Sequence, residues 1–324
     1  MKSLRRMPLY RRCDEIMSKT RIALVGMGKI ARDQHVPALA ANDAFELVAA
    51  ASPHQRLEGV PNFTGIEALL DAVKDLDAVA LCTPPQLRYP LARYALERGL
   101  HVLLEKPPGA TLNEVAALVG LAERQGVALF AAWHSREAAA VEPARRWLEP
   151  RNISGATVTW KEDVRFWHPG QAWIWKAGGL GVFDPGINAL SILTQVLPGT
   201  LVLKEAELAF PSNCETPVAA SLRMETELGT EVRMELDFLQ PGPPSWDIDV
   251  RTDAGRLLLS RGGAVMRIGD EAPIENPDNE YPNLYARFEQ LVRNRGIDVD
   301  VTPFRLVADA FMCGRRIVAE PFIE

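Results

Sequence analysis

Five short apolar runs, near residues 22–25, 47–51, 78–82, 101–104 and 127–130, alternate with segments of helical periodicity over the first 130 residues. Runs of that length suit strands buried on both faces, and their alternation with helices predicts a doubly wound, Rossmann-like parallel sheet. Helix limits are marked. Thr111-Leu112-Asn113-Glu114 reads as a capping box, and Gly99 and Gly126 stand where a C-terminal glycine ends a helix before a strand. The alternation stops near Trp133, and a helix rich in Ala and Arg follows up to about Leu148. Beyond it the period changes to two, most clearly from Glu231 to Phe238, where every second residue is apolar. Similar stretches near 154–164, 202–209, 217–226, 246–252 and 256–260 predict a largely antiparallel open sheet with one polar face. Helices near 184–196, 281–294 and 303–318 would cover its other face.

The fold class expected is therefore α/β: a dinucleotide-binding domain over residues 18–135 and an α+β substrate domain over 136–324, whose last helix is free to pack back on the first. Residues 1–17 are basic at Lys2, Arg5, Arg6, Arg11 and Arg12 and lack the apolar middle of a secretory signal. They read as a disordered extension or as an over-extended start upstream of Met17.

Composition narrows the partners. The 324 residues are 47% hydrophobic and 24% charged, with a net charge of -6, so no general basic face is offered to nucleic acid. No apolar stretch reaches the roughly 18 residues that span a bilayer. Cys13, Cys82, Cys214 and Cys313 lie far apart, without a Cys-x-x-Cys or a histidine cluster, which argues for reduced thiols in a cytoplasmic protein and against a metal site. A small-molecule ligand is the expectation that remains.

Gly26-Met27-Gly28-Lys29-Ile30-Ala31, directly after the first apolar run, supplies the phosphate site of a dinucleotide. The first glycine permits a tight turn, the second lets a pyrophosphate approach the backbone, and Ala31 keeps the following helix close to the sheet. Methyltransferases carry similar loops, so this turn alone does not choose the cofactor. After the second strand comes Ser52-Pro53-His54-Gln55-Arg56, with no carboxylate to hold a 2′-hydroxyl or repel a 2′-phosphate. With Ser52 and His54 as donors there, NADP should be accepted, with dual use of NAD. Thr83-Pro84 forms a rigid edge beside the cofactor, and Glu105-Lys106-Pro107-Pro108 puts a charged pair at the end of another strand, with Glu105 expected among the cofactor contacts.

Lys106, held between a buried strand and two prolines, has little freedom. Partial burial would bring its amine toward neutrality, where it can exchange a proton with a substrate hydroxyl; the competing reading is a purely structural ion pair with Glu105 or a carboxylate across the cleft. In the second domain a flexible glycine run, Gly178 to Gly181, leads into a helix carrying Asp184 and Asn188 four residues apart, hence on one face. Asp184 could accept charge from Lys106 or serve as the helix N-cap. Trp133-His134, Trp160-Lys161-Glu162-Asp163, Trp167-His168-Pro169 and Trp173-Ile174-Trp175 hold five of the seven tryptophans. Indole faces suit the C–H faces of a pyranose, as histidine and glutamate suit its hydroxyls.

Together, Gly26 to Ala31, Glu105-Lys106-Pro107 and the glycine run to Asp184 and Asn188 resemble the Gfo/Idh/MocA family of NAD(P)-dependent sugar and cyclitol oxidoreductases. The longer strings Gly28 to His35, Lys106 to Ala110, Trp133-His134-Ser135 and Trp160 to Arg165 are similar to its branch of bacterial D-galactose and L-arabinose 1-dehydrogenases. The resemblance implies oxidation of an aldopyranose (galactose, arabinose or fucose) at C1 to its aldonolactone, with Lys106 handling the hydroxyl proton and Asp184 and Asn188 completing the site. It also implies that His134, Glu162, His168 and Trp246 contact the sugar, with Trp167 in the same aromatic cluster. Many family members carry histidine where this chain has Asn188, and an amide cannot shuttle a proton, so proton transfer rests on Lys106 supported by Asp184. Other sugar or cyclitol chemistry, or a non-catalytic NAD(P)H sensor, are the alternatives, and a sensor would need no Lys106–Asp184 pair. The charged outer face expected at Glu231, Arg233, Glu235 and Asp237 points to a monomer or a weak homodimer.

Overall fold

The computed structural model describes residues 18–324, so the expectation for residues 1–17 lies outside it. Six strands of the first sheet follow in chain order: β1 (Thr20–Val25), β2 (Phe45–Ala51), β3 (Asn62–Phe63), β4 (Ala78–Leu81), β5 (His101–Glu105) and β6 (Leu129–Ala132). All pair in parallel, in the spatial order β6-β5-β4-β1-β2-β3. The order turns back between β1 and β4, which opens a crevice at the carboxyl edge of the sheet. β4 is buried on both faces, as its uninterrupted Ala-Val-Ala-Leu requires.

On one face lie α2 (Ile66–Ala72), α3 (Pro85–Leu96) and α4 (Leu112–Gln125); on the other a π-helical turn, Ala31–His35, runs into α1 (Val36–Ala40). The capping box forms. Thr111 Oγ1 accepts the Glu114 N–H and Glu114 Oε2 accepts the Thr111 N–H, both at 3.2 Å, while Gly126 ends α4 at φ +63°.

The second sheet contains β7 (Ile153–Lys161), β8 (Leu201–Pro211), β9 (Ala219–Thr226), β10 (Glu231–Asp237), β11 (Ser245–Thr252), β12 (Gly255–Ser260), β13 (Val265–Ile268) and β14 (Ile274–Glu275). It is antiparallel except where β7 meets β10 and at its far edge. α5 (Val141–Leu148) and α7 (Phe183–Val196) pack on one side, and the short α6 (Val164–Trp167) follows β7. Along β10, Val232, Met234 and Leu236 are buried under the helices, whereas Arg233 and Glu235 are exposed.

Two expectations are corrected. The chain does not divide at one point, because α8 (Glu280–Asn294) and β15 (Ile297–Asp298) return to the first sheet, β15 pairing with β6. α8 presents Tyr281, Leu284, Tyr285, Phe288 and Leu291 at helical spacing to the core around β1 and β6. The last helix, α9 (Thr302–Cys313), instead stays with α7 and β8. It also ends earlier than expected: Gly314 lies so close to β8 that a Cβ there would be 3.2 Å from Ala206, and Arg315–Ala319 continues as β16, pairing in parallel with β8. No described helix is long and apolar enough to cross a membrane.

Candidate active site

The glycine turn fits a dinucleotide. Gly26 has φ +93°, and a Cβ there would lie 2.9 Å from Cys82 C and Thr83 N, so any side chain would separate β1 from the end of β4. A Cβ on Gly28, by contrast, would have no neighbour within 4 Å, which leaves its backbone open to an approaching anion where the helix begins. Met27 and Ala31 are buried beneath the turn, Ile30 packs on the same core, and Lys29 pairs outside with Asp33. Thr83, next to Gly26 at the end of β4, has a buried Oγ1 without a partner among the described residues, a polar group left for a ligand to satisfy. Pro84 starts α3 beside it. At the end of β2, Ser52 spends its N–H on Phe63 O at 2.9 Å, and His54 is exposed in the loop beyond.

Lys106 follows β5 directly and reaches into the second domain. Its Nζ donates to Asp184 O at 2.9 Å and to Asp184 Oδ1 at 3.1 Å, with the two side chains 14% and 5% exposed. So Lys106 pairs with the carboxylate across the cleft rather than with Glu105. Asp184 is not the N-cap of α7 either, since that helix starts one residue earlier at Phe183. The glycine run serves contact rather than flexibility: a Cβ on Gly179 would lie 2.4 Å from Trp173 O, one on Gly181 2.2 Å from Pro217 O, and one on Gly186 2.7 Å from Leu236. These close approaches set α7 tightly against the sheet and thereby fix Asp184. Between residues 179 and 193 only Asn188 is not fully buried, one turn beyond Asp184.

From Asp184 a line of polar groups continues outward. His168 Nδ1 lies 3.8 Å from Asp184 Oδ2; its Nε2 is 3.0 Å from Glu162 Oε1, and Glu162 Oε2 accepts the Trp246 indole N–H at 2.8 Å. Glu162 is buried where β7 ends, and Trp167 meets Trp246 edge-on with ring centroids 4.8 Å apart. Five residues singled out in the sequence therefore meet on one wall: Asp184, His168, Glu162, Trp246 and Trp167. His134 stands apart from them, 2.5 Å from Glu280 Oε2 and stacked on Tyr281.

The sequence reading set Glu105 among the cofactor contacts, but its carboxylate is turned into the protein. Oε1 lies 2.9 Å from His35 Nε2 and accepts from Tyr281 OH at 2.8 Å; Oε2 accepts the Lys106 N–H at 2.9 Å. His35 Nδ1 meets Tyr285 OH at 2.7 Å. Burial alone would raise the Glu105 carboxyl, but the hydrogen bond and charge of His35, aided by His134 and Tyr281, outweigh it and hold it at about 2. Burial would likewise lower His35, yet the Cys82 thiol, Tyr285 and Glu105 raise it well above the usual imidazole value. Arg88, also buried, donates to the carbonyls of Glu105, Pro107 and Thr83 and so brackets the Lys106 peptide. His35, Arg88, Tyr281, Tyr285 and Glu280 were not singled out from the sequence. The usable signal was polar residues on otherwise apolar helical faces. No group of histidine, cysteine or carboxylate side chains among the described residues is arranged for a metal.

The sequence model of the Gfo/Idh/MocA oxidoreductase family, described by its NAD-binding Rossmann fold, matches residues 20–133. A galactose 1-dehydrogenase from Pseudomonas fluorescens is 46% identical over 308 residues, which cover 95% of this chain and 100% of that protein. The crystal structure of a D-galactose-1-dehydrogenase from Rhizobium etli superposes with a TM-score of 0.91 at 53% identity, covering 95% of this chain and 99% of that one. A 3-ketoreductase from Actinomadura kijaniata, solved with NADP and TDP-benzene, shares the fold at 20% identity and a TM-score of 0.81, over 93% and 100% of the two chains.

Proposed function

Because the chain belongs to the Gfo/Idh/MocA family of oxidoreductases, we propose that it oxidises an aldopyranose at C1 to the aldonolactone, with D-galactose the first candidate and L-arabinose and D-fucose next. The dinucleotide, when bound, supplies the hydride acceptor. Gly26 and Gly28 would hold its pyrophosphate, Thr83 would use its free hydroxyl on it, and Ser52 and His54 would meet the adenosine ribose. The absence of a carboxylate after β2 supports use of NADP as well as NAD.

The single observation that carries the reading is the Lys106–Asp184 pair, formed between two domains at the mouth of the crevice that Gly28 leaves open. Lys106 would hold the C1 hydroxyl and take its proton as the C1 hydrogen departs with its electron pair, so that the lactone carbonyl forms as the O–H and C–H bonds break. Asp184 orients the amine and offsets the charge it gains, while the amide of Asn188 can bind a hydroxyl but cannot relay a proton. His168 and Glu162 would bind further hydroxyls, Trp246 and Trp167 would face the ring, and His134 would close the opposite side. A sensor without chemistry has no use for the Lys106–Asp184 pair. Initial rates of NAD and NADP reduction across a panel of aldoses test the reading: galactose, arabinose and fucose should lead, and a panel without any active aldose would refute it. These three share ring stereochemistry and differ at C5, where a pocket discriminates by only about 1 to 3 kcal/mol.

A further inference from the structure

The loop that carries His168 is braced from outside by a remote part of the chain. Beyond β16, residues 321–324 cross back over the segment 165–176. Phe322 packs on Trp175 with ring centroids 4.6 Å apart; Trp175 meets Phe238 edge-on at 5.8 Å, and Phe238 lies 5.6 Å from the His168 ring. Phe238 is fully buried just beyond β10, so this row of rings has a fixed inner end. A single side chain pins the outer end. Asn213 Oδ1 accepts the Phe322 N–H and Asn213 Nδ2 donates to Phe322 O, both at 2.8 Å. A second contact falls two residues past His168, where the Gly170 N–H donates to Glu324 Oε1 at 2.6 Å.

We propose that Phe322, held by Asn213, is a positioning residue of the sugar site: through Trp175 and Phe238 it sets the loop that presents His168 and Trp167. The proposal rests on the assignment of that wall to the sugar. Contacts of this kind act by preorganisation, because a loop already held in its binding geometry loses less freedom when the ligand arrives. The row leads to His168 and not to the glycine turn, so its loss should appear in the sugar KM and leave dinucleotide affinity alone.

The test compares Phe322→Ala, Asn213→Ala and Phe322→Tyr with the full-length protein, using D-galactose at saturating dinucleotide and measuring dinucleotide Kd separately. Phe322→Ala and Asn213→Ala should each raise the galactose KM between about two- and tenfold, the range for one lost aromatic contact, with kcat and dinucleotide Kd near wild type. Phe322→Tyr, which keeps the ring, should retain the wild-type KM. Asn213→Ala keeps all four rings of the row and removes only the hydrogen bonds that hold Phe322, so it serves if Phe322→Ala fails to fold. His168→Asn separates the two levels of the argument. If it raises KM while the Phe322 and Asn213 variants do not, the bracing role is wrong; if it leaves KM unchanged, the assignment of the wall to the sugar fails and the bracing role with it. Parallel losses in kcat and dinucleotide affinity would mean general damage and would also overturn the proposal.

Discussion

Replacing Lys106 by Met removes the amine and keeps most of its volume, so the change isolates proton transfer from packing. Lys106→Met should lower kcat for galactose oxidation by about 10² to 10⁴, with dinucleotide affinity nearly unchanged, as single-turnover rates and a fluorescence titration would read. Asp184→Asn should also be severely impaired, and the double variant should lose less than the sum, because the two groups share one bonded unit. Activity of Lys106→Met within threefold of wild type would remove it from the chemistry. Ser52→Asp places a carboxylate at the end of β2 and should shift the ratio of kcat/KM toward NAD, whereas an unchanged ratio would take Ser52 away from the ribose. The contact of Lys106 with Asp184 was legible at this scale, Lys106 from its confinement between strand and prolines and Asp184 from its place at the start of a helix. His35 and Tyr285 were not, because 250 residues separate two groups that touch, and nothing local in either segment announces the pair.

At the scale of elements, β5 and α8 depend on each other through the Glu105 cluster. Glu105 is held at about 2 in the folded protein against an ordinary value of 4.5, so it contributes stability that is present above 4.5 and is lost as pH falls toward 2. His35 is raised, so its contribution is complete below 6.5 and fades as pH climbs through its folded value. Glu105→Gln should therefore lower Tm most between about pH 5 and 6.5, and calorimetry should show the gap from wild type narrowing toward pH 3. A gap that is constant with pH would mean that the carboxylate is not ionised in this cluster. Helix ends were readable where a cap chemistry exists, as at Thr111 and Gly126. The end of α9 was not, since its apolar period runs on toward β16; Gly314 stands at the change, where a Cβ would meet Ala310 O as well as Ala206 and Leu208 of β8. For the same reason α8 looked like part of the second domain: its amphipathic pattern shows that a face is buried but not against what.

Among the described residues, one face of the nine-stranded sheet carries no helix. That face carries Arg223–Glu205, Arg233–Glu231 and Arg256–Asp249 ion pairs, a surface too charged for the dry core of an obligate interface. Association through it should be weak and salt-sensitive, so sedimentation at micromolar concentration should give a monomer or a dissociating dimer. A tight tetramer indifferent to salt would contradict that reading. Both sheets were legible in outline, because burial on two faces and burial on one leave different periods in the sequence. Of their junction only the contact of Lys106 with Asp184 was legible; the return of α8 and β15 to the first sheet was not, since an amphipathic pattern does not say which core it meets. If Lys106 and Asp184 serve oxidation at C1, D-galactose must differ from its methyl glycoside, in which the C1 hydroxyl is blocked and every other hydroxyl remains. NAD(P) should be reduced with galactose, giving galactonolactone, and not with the glycoside; equal rates with both would place the chemistry at another carbon.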